Sequence, residues 1–573
     1  MTSTDTSEAE AGRVCDLLVI GSGAAGLAAA ITARRNGLDV VVVEKEPHLG
    51  GATAVSGGWL WIPGNHLAAQ AGLADTTEAA RRYLRHEATT AFDPERVDAF
   101  LENGRRMVEF FQRETAVRLT AGVRFPDYHP DAPGGSQGGR SIVTEAFDGR
   151  ELGSNLAKLR RPLRETTFFG LNIGSGSEVN HFFNATRSIR SAAYVASRIA
   201  AHLLDMLRYG RGMRLANGNA LAARLAKSAF DLGVHVWLSA PALSLRVENG
   251  TVRGAVVRTP EGEVRIGARR GVVLACGGFS HDVARRKQLF RHAPTGTEHN
   301  SPSPAGIAGD GLRLGEAVGG VIETGLPNAA AWMPVSLVRY RDGSTGVFPH
   351  VIDRAKPGVI AVTRHGRRFV NEASPYHDFV QALVEANAGE RNAAAFLVCD
   401  RRTIRRYGLG GVKPFPLPLR SHIKSGYLFA GRTLAELAAR AGIDPAGLEA
   451  TVAAYNPLAA EGRDPQFGKG GTAYNRFQGD PRHAPNPCLA PLRQPPFYAV
   501  RIGPGDIGTF AGLKTDRFGR VLTRDGTPIA GLYAAGNDMA SIMGGSYPGA
   551  GINLGPAMTF GYIVGCHAAG IAG

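Results

Sequence analysis

At 573 residues, 44% of them apolar, the chain is too long for one hydrophobic core and is expected to build roughly two to four domains of ordinary globular composition. Its 75 glycines are nearly double the usual share of about 7%; they cluster beside apolar runs, so they read as tight turns and close backbone approach to a ligand, not as low complexity. The formal charge of +15 rests on arginines scattered singly or in pairs, with only nine lysines among 65 cations, which describes a solvated basic surface and excludes a nucleic-acid-binding stripe.

Residues 1–12 are polar and acidic, without the charged and apolar stretches of a secretory leader, and no run reaches the ~18 apolar residues that span a bilayer. A soluble, cytoplasmic, non-transmembrane protein is expected. The five cysteines, Cys15, Cys276, Cys399, Cys488 and Cys566, are odd in number and match neither a metal motif nor a small disulfide framework. Cys15 and Cys276 lie in apolar strand-like runs and are expected to be buried small hydrophobes in a reducing compartment.

Residues 16–20 suit a buried parallel strand. The turn Gly21-Ser22-Gly23-Ala24-Ala25-Gly26 follows, then a helix of small residues over 27–36, then a second strand over 40–43 that ends at Glu44 and Lys45. In this βαβ unit Gly21 permits the bend, Gly23 lets backbone approach a pyrophosphate, and Gly26 lets helix and strand pack closely. The helix N-terminus offers free N–H groups and partial positive charge to phosphates, and Glu44 can accept hydrogen bonds from ribose hydroxyls.

That fingerprint serves NAD and FAD alike. Six residues past Glu44, the run Gly50-Gly51-Ala52-Thr53-Ala54-Val55-Ser56-Gly57-Gly58 leaves room for the chain to lie against a flat ring system, which favours the flavin. An apolar run over 271–275 ends in Cys276-Gly277-Gly278, and another ends in Gly536-Asn537-Asp538 near the C-terminus. Strands that stop on glycine turns are where α/β sheets bind ligands.

The fold class expected is α/β: a Rossmann-like FAD-binding domain, discontinuous over 1–296 and 507–573, with an inserted α+β catalytic domain over 297–506 that caps the substrate. The insertion has Pro-rich joints at 414–418 and 485–496 and a helical stretch over 434–455.

The turn at Gly21 to Gly26, the segment from Gly50 through Trp59-Leu60-Trp61-Ile62-Pro63-Gly64-Asn65, Gly309-Asp310-Gly311, Asn371-Glu372 and the run Gly531 to Asn537 resemble the fumarate reductase and succinate dehydrogenase flavoprotein superfamily. Within it, Ser546-Tyr547-Pro548-Gly549-Ala550-Gly551-Ile552-Asn553-Leu554-Gly555 resembles the 3-ketosteroid Δ1-dehydrogenase branch, which includes desaturases of smaller cyclohexanone-type ketones. The resemblance implies noncovalent FAD, held in part by Asp310, Asn553 and Leu554. It also implies a carbonyl site made by the Tyr547 hydroxyl and the Gly551 N–H, and a tyrosine base at Tyr376 in Asn371-Glu372-Ala373-Ser374-Pro375-Tyr376. Tyr128 is the matching candidate for an assisting tyrosine. Tyr194 and Tyr340 stay open as alternative bases. The residues from 544 to 556 would then both embrace the flavin and build the ketone site.

These residue types suit the chemistry. Desaturating a ketone removes a proton from the carbon next to the carbonyl and a hydride from its neighbour. A phenol and an amide at the carbonyl oxygen stabilise the enolate. A tyrosine, ordinarily near pKa 10, serves as base only if its environment lowers that value or the enolate is strongly stabilised. The electron acceptor, quinone or dye-like, is not legible, nor is ring number. The stretch over 150–183, rich in Arg, Gly and Asn, departs from the steroid enzymes; as a substrate entrance it would favour a smaller ketone.

Two other functions fit the flavin segments. A fumarate-reductase-like enoate reductase would clamp a dicarboxylate with arginines, for which Arg364, Arg367 and Arg368 are available. A non-catalytic or electron-transfer flavoprotein would hold FAD without turning over a ketone.

Overall fold

A computed structural model describes residues 12–571, apart from residue 391 and residues 415–417. The leader reading of residues 1–11 and the centre of the Pro-rich joint at 414–418 lie outside the described residues.

The first apolar run forms β1 (Arg13–Ile20), and its last four residues are buried, as a parallel strand covered on both sides requires. Helix α1 spans Ala24–Arg35 and starts three residues before the expected position. Extended Gly23 caps it, and Ala24 and Ala25 are strong helix formers with no side chain to obstruct the turn. Strand β2 (Val40–Val43) pairs with β1 in parallel, Leu17 opposite Val40 and Ile20 opposite Val43.

Strand β3 (His235–Trp237) adds to β2, and β4 (Gly262–Leu274) pairs with the other edge of β1. The first half of β4 also carries an antiparallel extension, Thr251–Thr259 with Ala242–Glu248. Cys276 falls after β4, half-buried in a cavity wall, not inside a strand as expected, because the strand stops at Leu274.

The second sheet is antiparallel. Its strands are β5 (Ala330–Arg339), β6 (Thr345–Pro349), β7 (Val359–Val362), β8 (Ala395–Asp400) and β9 (Leu428–Gly431), organised around β10 (Phe497–Thr509). The expected boundary at 506 falls inside β10, which runs straight through to Thr509. Helix α2 (Tyr376–Ala386) lies on this sheet, and a short helix α3 (Ala473–Gln478) precedes β10. The helical stretch expected over 434–455 is two helices, Leu434–Ala441 and Pro445–Ala460. Gly442, left-handed at φ 75°, ends the first; Asp444 caps the second, with Pro445 at its first turn, so the polypeptide turns between them.

The chain then returns to the parallel sheet. Strand β11 (Pro528–Ala534) pairs with β4, Val272 opposite Leu532 and Leu274 opposite Ala534, giving the order β11-β4-β1-β2-β3. Helix α4 (Leu554–Ala568) packs on α1 at very short range: a Cβ on Gly561 would sit 2.5 Å from the Ala25 carbonyl oxygen. The C-terminal glycine cluster thereby comes to lie beside the N-terminal one.

Candidate active site

The parallel strands end in register, and the loops that follow them open onto a cavity of about 1360 Å³ that continues to the second sheet. An ordinary single-ligand pocket is roughly 300–1,000 Å³, so there is room for a dinucleotide and a second molecule. All the residues assigned to the cofactor from the sequence line this cavity except Gly26. Gly26 acts behind it: a Cβ there would lie 2.0 Å from the Gly21 carbonyl oxygen, so only glycine lets α1 meet β1 this closely.

At the nucleotide end, the Glu44 carboxylate accepts from Ser22 N–H at 3.0 Å and Ser22 Oγ at 2.6 Å, and from Glu46 N–H at 3.0 Å. The Ala24 N–H donates to Thr53 Oγ1 at 2.9 Å and the Gly50 N–H to Ser22 Oγ at 3.0 Å, which pins the second glycine cluster to the helix N-terminus. Among the described residues the N–H groups of Gly23 and Ala25 donate to no protein group, leaving donors aimed where a pyrophosphate would sit. Lys45 pairs with Asp310 at the cavity edge. Asp538, missing from the assignment made on sequence, is fully buried and accepts from the N–H groups of Cys276 at 2.5 Å and Gly278 at 2.9 Å. It ties the turn after β4 to the turn after β11, and burial pushes its carboxyl above the ordinary range. This donor set fits FAD.

At the other end three tyrosines from distant segments meet. Tyr128, Tyr376 and Tyr547 are each 4% exposed and line the cavity. The Tyr128 and Tyr376 hydroxyls are 2.9 Å apart, and Tyr376 is also within hydrogen-bonding reach of Tyr547. Tyr128 and Tyr547 stack at 5.4 Å, and Tyr376 meets Tyr547 edge-on at 4.9 Å. Gly551, at φ +99°, completes the group; its N–H donates to no protein group among the described residues. A Cβ there would lie 2.4 Å from the Trp59 carbonyl oxygen.

The surroundings explain the convergence. Tyr376 opens α2, and the Glu372 before it is clamped by Arg368 at 2.8 Å and by the Ala361 N–H at 3.0 Å. Next to Tyr128, His129 bridges Glu87 at 2.9 Å and Asp378 at 2.8 Å; burial opposes its charge, but the two carboxylates raise its pKa to about 10. Tyr83 holds the other side, donating to the Pro548 carbonyl at 2.7 Å.

Burial pushes Tyr128 and Tyr376 well above the ordinary phenol value and raises Tyr547 as well. Burial thus disfavours the charged form of each of these tyrosines, and enolate stabilisation is the route that the site geometry supports. The expectations for Tyr194 and Tyr340 meet a different outcome: neither lines the cavity, and they donate to Glu178 at 3.0 Å and Glu165 at 2.7 Å. Arg364, Arg367 and Arg368 do not line it either; Arg368 is consumed by Glu372 and Asp464. The stretch over 150–183 does contribute to the wall, through Arg160, Leu163, Thr166 and Phe183 among others.

Sequence reasoning missed Tyr474, on α3, whose ring lies 4.6 Å from that of Tyr128. Burial raises it to about 12, opposed by the charge of buried Arg354. No motif marks either residue, because only the tertiary fold brings α3 behind Tyr128.

The model of the FAD binding domain family matches residues 16–554. The chain belongs to this FAD-binding family. The flavoprotein is 44% identical over 97% of its length to a 4-oxocyclohex-2-ene-1-carboxylate 5-dehydrogenase of Sinomonas cyclohexanicum, covering 94% of that protein. It is 38% identical to a 3-oxosteroid 1-dehydrogenase of Mycobacterium tuberculosis, over 97% of this chain and 99% of that one. Among solved structures, 3-ketosteroid delta1-dehydrogenase from Sterolibacterium denitrificans, in complex with 1,4-androstadiene-3,17-dione, superposes with a TM-score of 0.90 at 35% identity, covering 97% of this chain and all of the other. The flavoprotein is thus an FAD-dependent oxidoreductase of the 3-ketosteroid Δ1-dehydrogenase branch. Among its described residues no helix is long and apolar enough to cross a membrane.

Proposed function

We propose that this flavoprotein introduces a C=C bond next to the carbonyl of a cyclic ketone. The observation that carries the reading is the meeting of Tyr128, Tyr376 and Tyr547 with the free N–H of Gly551 in the cavity that holds the cofactor residues. The substrate carbonyl oxygen accepts from the Tyr547 hydroxyl and the Gly551 N–H, so charge developing there meets two neutral donors in a water-poor site. Tyr376, as its phenolate, takes the α-proton and becomes the neutral phenol, and before transfer Tyr128 shares its charge across the 2.9 Å hydrogen bond. The charge of buried Arg354 reaches Tyr128 and Tyr474 and favours a phenolate there. When bound, FAD supplies the acceptor for the hydride leaving the adjacent carbon.

The residues of Gly21–Gly58, Cys276, Gly277, Gly536, Asn537, Asn553 and Leu554 that line the cavity would hold FAD without a covalent link. We place the protein in the cytoplasm and its re-oxidation with a quinone-like acceptor. The relatives named for carboxylated cyclohexenones and for steroids support the ketone class in common. An enoate reductase lacks support from Arg364, Arg367 and Arg368, which lie outside the cavity.

The deciding experiment is an anaerobic screen of cyclic ketones, reading flavin bleaching at its visible band. Bleaching by 3-ketosteroids or cyclohexanones supports the reading. A flavin that resists every ketone, while fumarate is consumed with a reduced dye, overturns it.

A further inference from the structure

The turn before β7 ends on Lys356, which is 7% exposed and lines the cavity. Its ammonium donates to the backbone carbonyls of Gln478 and Gly479, each at 2.7 Å, at the C-terminal end of α3. The Phe183 ring lies 5.2 Å from Nζ. Among the described residues no carboxylate lies within ion-pair distance. Of the two carboxylates whose charge reaches Lys356, Asp353 accepts from the His350 ring at 2.7 Å and the Gly410 N–H at 2.9 Å through Oδ2, while its buried Oδ1 has no hydrogen-bond partner among the described residues. Asp480 is paired with Arg406 and accepts from the Tyr407 hydroxyl at 2.6 Å.

An ammonium carries three N–H donors, and two are used here. A buried cation is costly unless an opposite charge compensates it. Burial accordingly lowers the Lys356 pKa to about 8, with Asp480 opposing the shift. Lys356 and the residues that hold it, Gln478 and Gly479, all line the cavity. A neutral carbonyl there would satisfy the third donor and leave the charge uncompensated, whereas a carboxylate would do both. The position relative to the ketone site also fits. Helix α3 carries Tyr474, packed against Tyr128, and one turn later Gln478, whose carbonyl holds Lys356. One helical turn is about 5.4 Å, so the carbonyl that holds Lys356 lies one turn along α3 from the residue packed against Tyr128.

We propose that Lys356 binds a carboxylate carried by the substrate at the end remote from its ring carbonyl, so that the substrate class is a cyclic keto acid. This rests on the cyclic-ketone reading above. Capping the C-terminus of α3 is the competing role for Lys356, and it predicts equal damage to every substrate.

The test uses the FAD-loaded enzyme with an artificial acceptor dye and three probes: 4-oxocyclohexanecarboxylate, its methyl ester, and cyclohexanone. Lys356→Met is expected to raise KM for the acid by about 10² to 10³-fold more than it raises KM for the ester. In the wild type, KM for the acid should rise about tenfold per pH unit above about 8, and this limb should vanish in the variant. The groups facing Lys356 that share this titration are Asp353, Asp480, Arg406 and the Cys488 thiol. Parallel losses for acid and ester, or no preference for the acid in the wild type, overturn the assignment. If Lys356→Met loses its flavin, the wild type alone decides: 4-hydroxybenzoate should perturb the flavin spectrum at about tenfold or more lower concentration than its methyl ester, with the gap closing above about pH 8. A gap that is absent or independent of pH overturns the proposal. Turnover of cyclohexanone or a steroid without acid preference rejects Lys356 only; failure of all ketones rejects the underlying reading.

Discussion

Tyr547 and Tyr376 share a buried aromatic cluster but are expected to answer differently to loss of one oxygen atom. Tyr547→Phe removes an oxyanion donor and should lower kcat by about 10² or more with flavin content unchanged, which a turnover assay beside a visible spectrum measures. Tyr376→Phe should abolish exchange of the substrate α-hydrogen with deuterated solvent, whereas Tyr547→Phe should only slow it; equal exchange in wild type and Tyr376→Phe would remove Tyr376 as base. Because burial raises Tyr376 above the ordinary phenol value, the phenolate grows with pH, and kcat on a neutral ketone should climb across the alkaline range. These residues carry chemistry only in combination. Tyr547 and Gly551 were legible as a pair four residues apart, but Tyr474 and Lys356 sit in segments of unremarkable composition.

At the scale of elements, two ionic clamps position α2 and therefore Tyr376. Glu372 is buried, which by itself would raise its pKa, but Arg368, Lys469 and the Ala361 N–H bring it down to about 2. Its folded value lies below the ordinary carboxylate value, so its stabilisation is present above about pH 4.5 and is lost as pH falls toward 2. Glu372→Gln should destabilise the protein by several kcal/mol, since it leaves Arg368 and Lys469 buried with less compensation, and should flatten the acid limb of a denaturation curve. His129, raised to about 10 by Asp378 and Glu87 against the cost of burial, works in the opposite sense. Its contribution is complete below about pH 6.5 and fades as pH rises through 10. His129→Gln should therefore lower Tm at pH 6 and cost little near pH 10.5, read by thermal melts at both values. The element boundaries were legible where glycine, proline and caps punctuate the chain. They were misread where the residues at 434–455 keep an apolar pattern across the break at Gly442.

On the scale of the whole molecule, the cavity is built from both sheets, so cofactor and fold are thermodynamically linked. Removing FAD should lower Tm, and adding it back should raise Tm with the logarithm of its concentration, as a ligand that binds only the folded state requires. A Tm independent of FAD would mean the cavity does not hold it. The sequence by itself determined the class of fold, because a βαβ turn with glycines at 21, 23 and 26 satisfies local constraints that few other structures share; the choice of flavin over NAD came from the glycine run over 50–58 and the C-terminal cluster. It also carried Tyr547 and Gly551, the proposed carbonyl pair, in the C-terminal loop. Only the tertiary structure decided which hydroxyls meet, that Tyr194 and Tyr340 stand apart, and that Lys356, with no carboxylate at ion-pair distance among the described residues, lines the cavity. The reason is physical: backbone geometry is set by neighbours along the chain, whereas burial, charge compensation and hydroxyl contacts depend on segments hundreds of residues apart.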